Sequence, residues 1–528
     1  MTEKTKSVAK SVSVLSIAGI LCKLIGVLFS IPLNMISTKV ATNFYLVYPT
    51  YTLLLTISSA GLPVAVSRLV AGFLARNDRQ NAWNTFKCAL ITLFTIGLFF
   101  SLLMILFNRV LVNMVGVEET SAGYYAIAPC VLIVCVLSAF RGLFQGQQNM
   151  VPTAVSQVME QVGKVALSLP LAAIGLKRSV TAGAAGALLG ITLSETIALL
   201  YMAIRFYKKK SEFNQYPQDP DLPSINGKSL FSRLIRISVP ITVSACIIPF
   251  SQFIDSAMMI QRMRVAMLSQ EQAESFYGLF TSVVIRLINI PTALALAISM
   301  SLVPAISACK ARNDNKAVQK ETHTGMRYAF IIGFPCSVGM SVLSKQIVSF
   351  FYSNVREFTP DKIQLASELL TFSAMTVVLF TVVQATSSIL QGLRKQKIPM
   401  YTMIAGVAVK ILLNYILIGT PGIHIHGGPY ASIACYTIVM VFNIIFVCKY
   451  TEMRFHFRDW VIRPGAAAAV MGISVWGIQK ILPMNRITTI IEIIIGIIVF
   501  IAAAIFLKVL SVSDIKNMLH RRGRKNET

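Results

Sequence analysis

Ionisable side chains stand inside the apolar stretches of this 528-residue chain. Lys23, Arg68, Arg141, Lys164, Arg286 and Lys410 are basic, whereas Glu160, Glu195 and Asp255 are acidic. A charge near the centre of a bilayer costs at least about 2.5 kcal/mol, so each of these side chains is a functional candidate by default. The set is more basic than acidic, which favours an anionic ligand such as a phosphate or pyrophosphate, the natural partner of arginine and lysine. Lys23 and Arg286 lie deep in their stretches with no acidic neighbour at helical spacing, and are the best candidates for facing a water-filled cavity. Arg68 and Arg141 stand nearer the ends of theirs, where a long cationic side chain either snorkels to the headgroups or faces the cavity. Glu160 precedes Lys164 by one helical turn, so the two can neutralise each other on one face. Asp255 has two readings: it pairs with Lys410, or it takes a proton or sodium ion together with Asn414, one turn beyond Lys410.

The elements that must position these groups are transmembrane helices. Apolar residues make up 55% of the chain and charged residues 13%, and the mean hydropathy is +0.68. An ordinary soluble surface is far more charged. Apolar runs of about 20 residues, each able to cross a hydrocarbon core of roughly 30 Å, recur from about residue 11 to residue 510 and number about fourteen. The first, at about 11–35, is too long for a signal-peptide core and ends without a small-residue cleavage site. The expected fold is an all-α polytopic membrane protein.

The formal net charge of +26 reports topology, because the basic residues cluster between spans and no nucleic-acid motif is present. With a cytoplasmic amino terminus, alternate loops carry about thirty lysines and arginines inside and about ten outside, the direction of the positive-inside rule. Both termini then face the cytoplasm, including the basic tail from His520 to Lys525. The 9 cysteines form no Cys-x-x-Cys pair, and of the histidines only His424 and His426 stand close together, too little for a metal site. No paired carboxylate, His-rich loop or Asp-x-Asp motif supports a membrane-embedded glycosyltransferase, so the chain reads as a transporter rather than an enzyme. No cofactor is implied beyond coupling to Na+ or H+.

Short motifs recur. Pro63-Val64-Ala65-Val66-Ser67 and then Ala75-Arg76-Asn77-Asp78 are answered by Pro304-Ala305-Ile306-Ser307 and Ala311-Arg312-Asn313-Asp314. Gln145-Gly146, Pro152 and Lys164 are answered by Gln391-Gly392, Pro399 and Lys410. Two matches in one order at an offset of about 240 residues imply a doubled unit, a hallmark of transporters. Prolines between Tyr216 and Pro223 forbid helix there, which places a linker between the halves. The expected division is an N-lobe at 1–207, a cytoplasmic linker at 208–230, a C-lobe at 231–450, two added helices at 451–510 and a basic tail at 511–528. Prolines and glycines inside spans, among them Pro63, Gly183, Gly186 and Gly190, are candidates for hinges.

Arg286-Leu287, Pro291 and Pro304-Ala305-Ile306-Ser307, with Arg141-Gly142-Leu143-Phe144-Gln145-Gly146, Pro152-Thr153-Ala154 and Glu160-Gln161, resemble the polysaccharide-flippase branch of the MOP superfamily. The pattern is similar to the stage V sporulation protein B and YtgP group, related to the MurJ lipid II flippases. The resemblance implies two six-helix lobes enclosing a central cavity, two further helices, and transport of an undecaprenyl-pyrophosphate-linked saccharide across the cytoplasmic membrane. It also implies that cationic residues of spans one, two and eight line the cavity. Arg286 matches the span-eight arginine and Lys23 resembles the first basic position of span one. A second basic position in span one falls near Phe29 here, and Arg68 lies closer to the cytoplasm than the span-two arginine. Sodium-coupled relatives use acidic and amide side chains of spans seven, eleven and twelve, which Asp255 and Asn414 fit, while Lys410 on the same face is a replacement for the cation. A MATE-type drug exporter is the alternative on the same fold, disfavoured by the basic excess.

Overall fold

The computed structural model describes Gly19, Leu21, Cys22, Ile25, Gly26 and residues 29–509, without the side chains at 212, 214, 293–298 and 300. Lys23, most of the first expected span and the basic tail lie outside the described residues. The chain divides into two compact units, Met1–Ser282 and Val283–Thr528. Among the described residues, eleven helices are long and apolar enough to cross a membrane, or twelve when one bent pair counts as a single span. Each matches an expected span. The eighth expected span also forms a long helix, Ile285–Ala311.

The first unit opens with α1 (Ser30–Ile36), α2 (Thr38–Ser59), α3 (Leu62–Leu74), α4 (Arg79–Leu106) and α5 (Asn108–Val115). It continues with α6 (Ser121–Gly146), α7 (Val151–Leu176), α8 (Val180–Asn214), α9 (Gly227–Val265) and α10 (Gln270–Gly278). α2 and α3 form one crossing, Thr38–Leu74, interrupted at Ala60-Gly61. Pro63 stands at the first turn of α3, where its missing N–H costs nothing, so it marks a helix start. α9 crosses at the break: Thr242 Oγ1 accepts the Gly61 amide at 3.1 Å, and a methyl group on Gly61 would meet Ser238 O at 2.2 Å. The boundary expected from the repeat and the boundary between compact units thus bracket α9, which packs on α2, α3 and α4.

α8 continues through Lys208-Lys209-Lys210 to Asn214, because lysine is a good helix former once the chain leaves the hydrocarbon. The non-helical part of the 208–230 linker is 215–226, around its prolines. It is also fastened. The buried Asn81 side chain donates to Pro223 O at 2.9 Å and accepts the Ile225 amide at 2.8 Å, while Gln218 Oε1 accepts the Gln80 amide at 2.7 Å.

The second unit holds α11 (Ile285–Ala311), α12 (Asn315–Val342), α13 (Ser344–Tyr352), α14 (Pro360–Ser373) and α15 (Met375–Gly392). α16 (Lys397–Ile418), α17 (Gly427–Thr451), α18 (Arg463–Gln479) and α19 (Arg486–Phe506) complete it. α12 and α13 meet at 71°. Ile306, Met326, Val382, Ile389 and Trp460 pack into one core. The added helices α18 and α19 join α12 through a second, built on Ala467, Ala468, Met471 and Phe500. Ile473 and Ile487 on these last helices are about seven-tenths exposed, as side chains facing lipid must be.

The recurring motifs have one geometry in both units. Asn77 and Asn313 adopt left-handed backbone, with φ of 58° and 53°, which asparagine tolerates better than most residues. Each ends a helix, with the following amide reaching back to the sixth residue: Asp78 N to Phe73 O at 3.0 Å and Asp314 N to Cys309 O at 3.2 Å. The aspartates then cap the next helices, accepting the amides of Asn81 at 3.0 Å and Ala317 at 2.9 Å. Ala-Arg-Asn-Asp is thus a helix stop followed by a helix start. The Gln-Gly motif is a crossing point. A methyl group on Gly146 would lie 2.7 Å from Val70 Cβ, and one on Gly392 would lie 2.7 Å from Ile306 Cβ.

The span glycines of α8 are contact points rather than hinges. α8 runs unbroken from Val180 to Asn214, and its glycine face lets α7 approach backbone to backbone, as small residues do in membranes. A methyl group on Gly186 would sit 2.4 Å from Leu171 O, and one on Gly190 would sit 2.4 Å from Ser168 Cα. Glycine to alanine normally favours a helix by about 1 kcal/mol, but overpacking costs about 1–3 kcal/mol. Gly190→Ala is expected to lower the melting temperature of the detergent-solubilised protein; an unchanged or raised value would show that the α7–α8 crossing can relax.

Candidate functional site

A charged cluster forms inside the first unit where α6, α7 and α8 meet. Arg141 extends from α6, and its Nε and Nη2 donate to Ser156 Oγ at 3.1 and 2.9 Å. Nη2 also forms an ion pair with Glu160 Oε1 on α7. The two side chains are only 12% and 10% exposed, so Arg141 does not snorkel. Ser194 Oγ on α8 donates to the Glu160 carbonyl at 2.9 Å, and the carboxyl of Glu195 adjoins that of Glu160. α7 supplies Ser156 and Glu160 on one face, one turn apart, and the glycine face of α8 allows the close approach that brings Ser194 and Glu195 to them.

Lys164 stands one turn beyond Glu160. Its Nζ lies 4.7 Å from the ring centroid of Phe29, 4.9 Å from that of Tyr48 and 5.7 Å from that of Phe44, and its charge reaches Glu195. Ring faces attract an ammonium by about 0.5–2 kcal/mol each. The position where span one lacks its second basic residue is therefore the ring beneath a cation supplied by α7. Arg68 is exposed on α3 and belongs to a different surface from this cluster.

Arg286 is the second residue of α11 and is half-buried. It follows a π-helical stretch, Leu279–Val284, a feature that often marks functional sites because its wider turn displaces the following side chains. The first part of that stretch is fixed within the first unit. Ser282 Oγ donates to Asn34 Oδ1 at 2.9 Å, Asn34 Nδ2 donates to Ser30 O at 2.8 Å, and Tyr277 Oη donates to Tyr45 O at 3.2 Å. The contact between Asn34 and Ser282 has no counterpart in residue spacing. The signal in the sequence is a polar residue, Asn34, inside an apolar run.

Asp255 is half-buried on α9, in the first unit, whereas Lys410 and Asn414 stand on α16, in the second. Asn414 is fully buried and Lys410 half-buried, one turn apart on one face.

The family description Polysaccharide biosynthesis protein matches residues 8–310, more than half of the chain. The chain belongs to this family. The MatE description matches residues 240–416, and both place the chain in the MOP superfamily of membrane transporters. It is 28% identical over 457 residues to stage V sporulation protein B of Bacillus subtilis (strain 168), covering 86% of each chain. It is 25% identical over 489 residues to the lipid II flippase MurJ of the same organism, covering 89% of this chain and 88% of that one. A solved structure of lipid II flippase MurJ in an inward closed conformation shares the fold, with a TM-score of 0.72 at 14% identity, over 94% of this chain and 98% of that chain. The protein is a multi-pass membrane transporter, not an enzyme.

Removing one partner of a buried ion pair leaves the other charge uncompensated, at about 3–5 kcal/mol. Arg141→Ala is expected to destabilise the protein on this scale in detergent unfolding, with Arg141→Ala/Glu160→Gln recovering much of the loss. Equal stability of the single and double variants would show that Glu160 finds another partner.

Proposed function

We propose that this transporter is a flippase for an undecaprenyl-pyrophosphate-linked saccharide, either the peptidoglycan precursor lipid II or another polysaccharide precursor. It moves this substrate from the cytoplasmic to the outer leaflet by alternating access. Arg286 carries the reading: a deep arginine, set just after a π-helical turn, is suited to a pyrophosphate by its charge and its planar fork of donors. The likeness to stage V sporulation protein B and to MurJ supports the same substrate class. Lys23 and Arg68 are proposed as further contacts to the pyrophosphate. Asp255 and Asn414 are proposed to take the coupling Na+ or H+, with Lys410 as the built-in alternative cation, and Glu160 and Lys164 to hold charge balance in the first half.

In this reading both termini face the cytoplasm, and 1–207 and 231–450 act as the two lobes on either side of the 208–230 linker. The match to the MatE description supports drug export as a second reading. Organic cations call for an acidic site, however, and the deep charges here are mostly basic.

The test is lipid II exposure at the outer leaflet of cells depleted of their own flippase and expressing this protein. The wild type is expected to restore exposure. A hydrogen bond to a charged group contributes about 1.5–3 kcal/mol, so Arg286→Ala, present at equal level in the membrane, is expected to lose about tenfold or more of the rate. A fully active variant would remove Arg286 from the site. Absence of restoration by the wild type, with altered drug resistance in a deletion strain, would favour export.

A further inference from the structure

A second site lies away from all of these residues. Between α4 and the chain that leads from the linker into α9 is a cavity of about 810 Å³. Its lining changes character along its length. Asn84, Lys87 and Ser224 stand at the end nearest the linker, whereas Ile91, Ile96 and Phe231 line the rest with Thr92 and Thr95, whose hydroxyls donate to carbonyls of their own helix. From Asn84 to Ile96 α4 rises about 18 Å, comparable with most of one leaflet of hydrocarbon. Ile91 and Phe231 are 67% and 46% exposed, so the apolar part is open at its side.

The polar end is positive. None of the lining residues is acidic, and Lys87 is the one cationic side chain among them. Lys87 Nζ lies 5.5 Å from the Trp83 ring centroid and Lys210 Nζ, from α8, lies 5.9 Å from the same ring. Trp83 stacks on Phe206 with planes 6° apart, which fixes the indole where the two lysines converge. A tryptophan with flanking lysines at a helix end is the usual composition of a membrane interface. A cavity that is cationic and hydrogen-bonding at the interface, apolar below it and open to the side matches one ligand chemistry: an anion carrying acyl chains.

We propose that this cavity binds an anionic phospholipid of the leaflet next to the linker. Its phosphate meets Lys87 and the polar side chains of Asn84 and Ser224, and an acyl chain lies along Ile91, Ile96 and Phe231. The site is separate from the transported substrate, and its existence does not depend on the flippase reading. A bound lipid there spans α4 and the first turn of α9, so it ties the fastened linker to the membrane.

Native mass spectrometry of the full-length protein in detergent tests this, with phosphatidylglycerol and phosphatidylcholine as probes. One lysine near a headgroup is worth about 1 kcal/mol, so the first phosphatidylglycerol is expected to bind about fivefold more tightly than the first phosphatidylcholine. Lys87→Gln is expected to abolish the preference, and Ile91→Trp, which fills the apolar part, to weaken both lipids. Lys87 is exposed, so its replacement leaves the fold intact. No preference in the wild type, or a preference that survives Lys87→Gln, overturns the proposal. Displacement of phosphatidylglycerol by an equal concentration of undecaprenyl phosphate also overturns it, by assigning the cavity to a polyprenyl chain.

Discussion

Hydrocarbon offers no partner to a backbone amide or carbonyl, so every segment that crosses it must satisfy its polar groups within itself. That constraint makes the described chain helical and shifts the burden of specification to the places where helices end. There the two units use the same device: an asparagine in left-handed backbone, Asn77 or Asn313, followed by an aspartate that caps the next helix. The stop and the start are written in four residues, and the motif therefore persists in both halves while the apolar residues around it differ.

The same constraint acts on side chains. Arg141 and Glu160 meet inside the first unit with Ser156 sharing the guanidinium, and Lys164 sits over aromatic rings. These basic groups are tied to their surroundings and contribute first to holding α6, α7 and α8 in register. Arg286 differs in kind. It follows a π-helical stretch, Leu279–Val284, within which Ser282 is held by Asn34.

The spans and the recurring short motifs were legible because they depend on local composition and sequence. The charged cluster was only half legible. Helical periodicity paired Glu160 with Lys164 along α7, but the ion pair with Arg141 comes from a neighbouring helix, and nothing in the spacing between 141 and 160 encodes that crossing. Gly183, Gly186 and Gly190 show the same limit: as letters they suit a hinge, and only the position of α7 reveals them as a contact face. The contact between Asn34 and Ser282 joins residues far apart in the chain, beyond the reach of any local pattern.

The linker between α8 and α9 reads as a loose connection, rich in proline and charge. Asn81 removes its slack by grasping it at Pro223 and Ile225, at the start of α4. A displacement of α4 along its axis is therefore handed to the first turn of α9 with little lost travel, as a taut strap moves its buckle. Lengthening the chain between Asp219 and Pro223 would leave the hold of Asn81 intact, because it lies at and beyond Pro223.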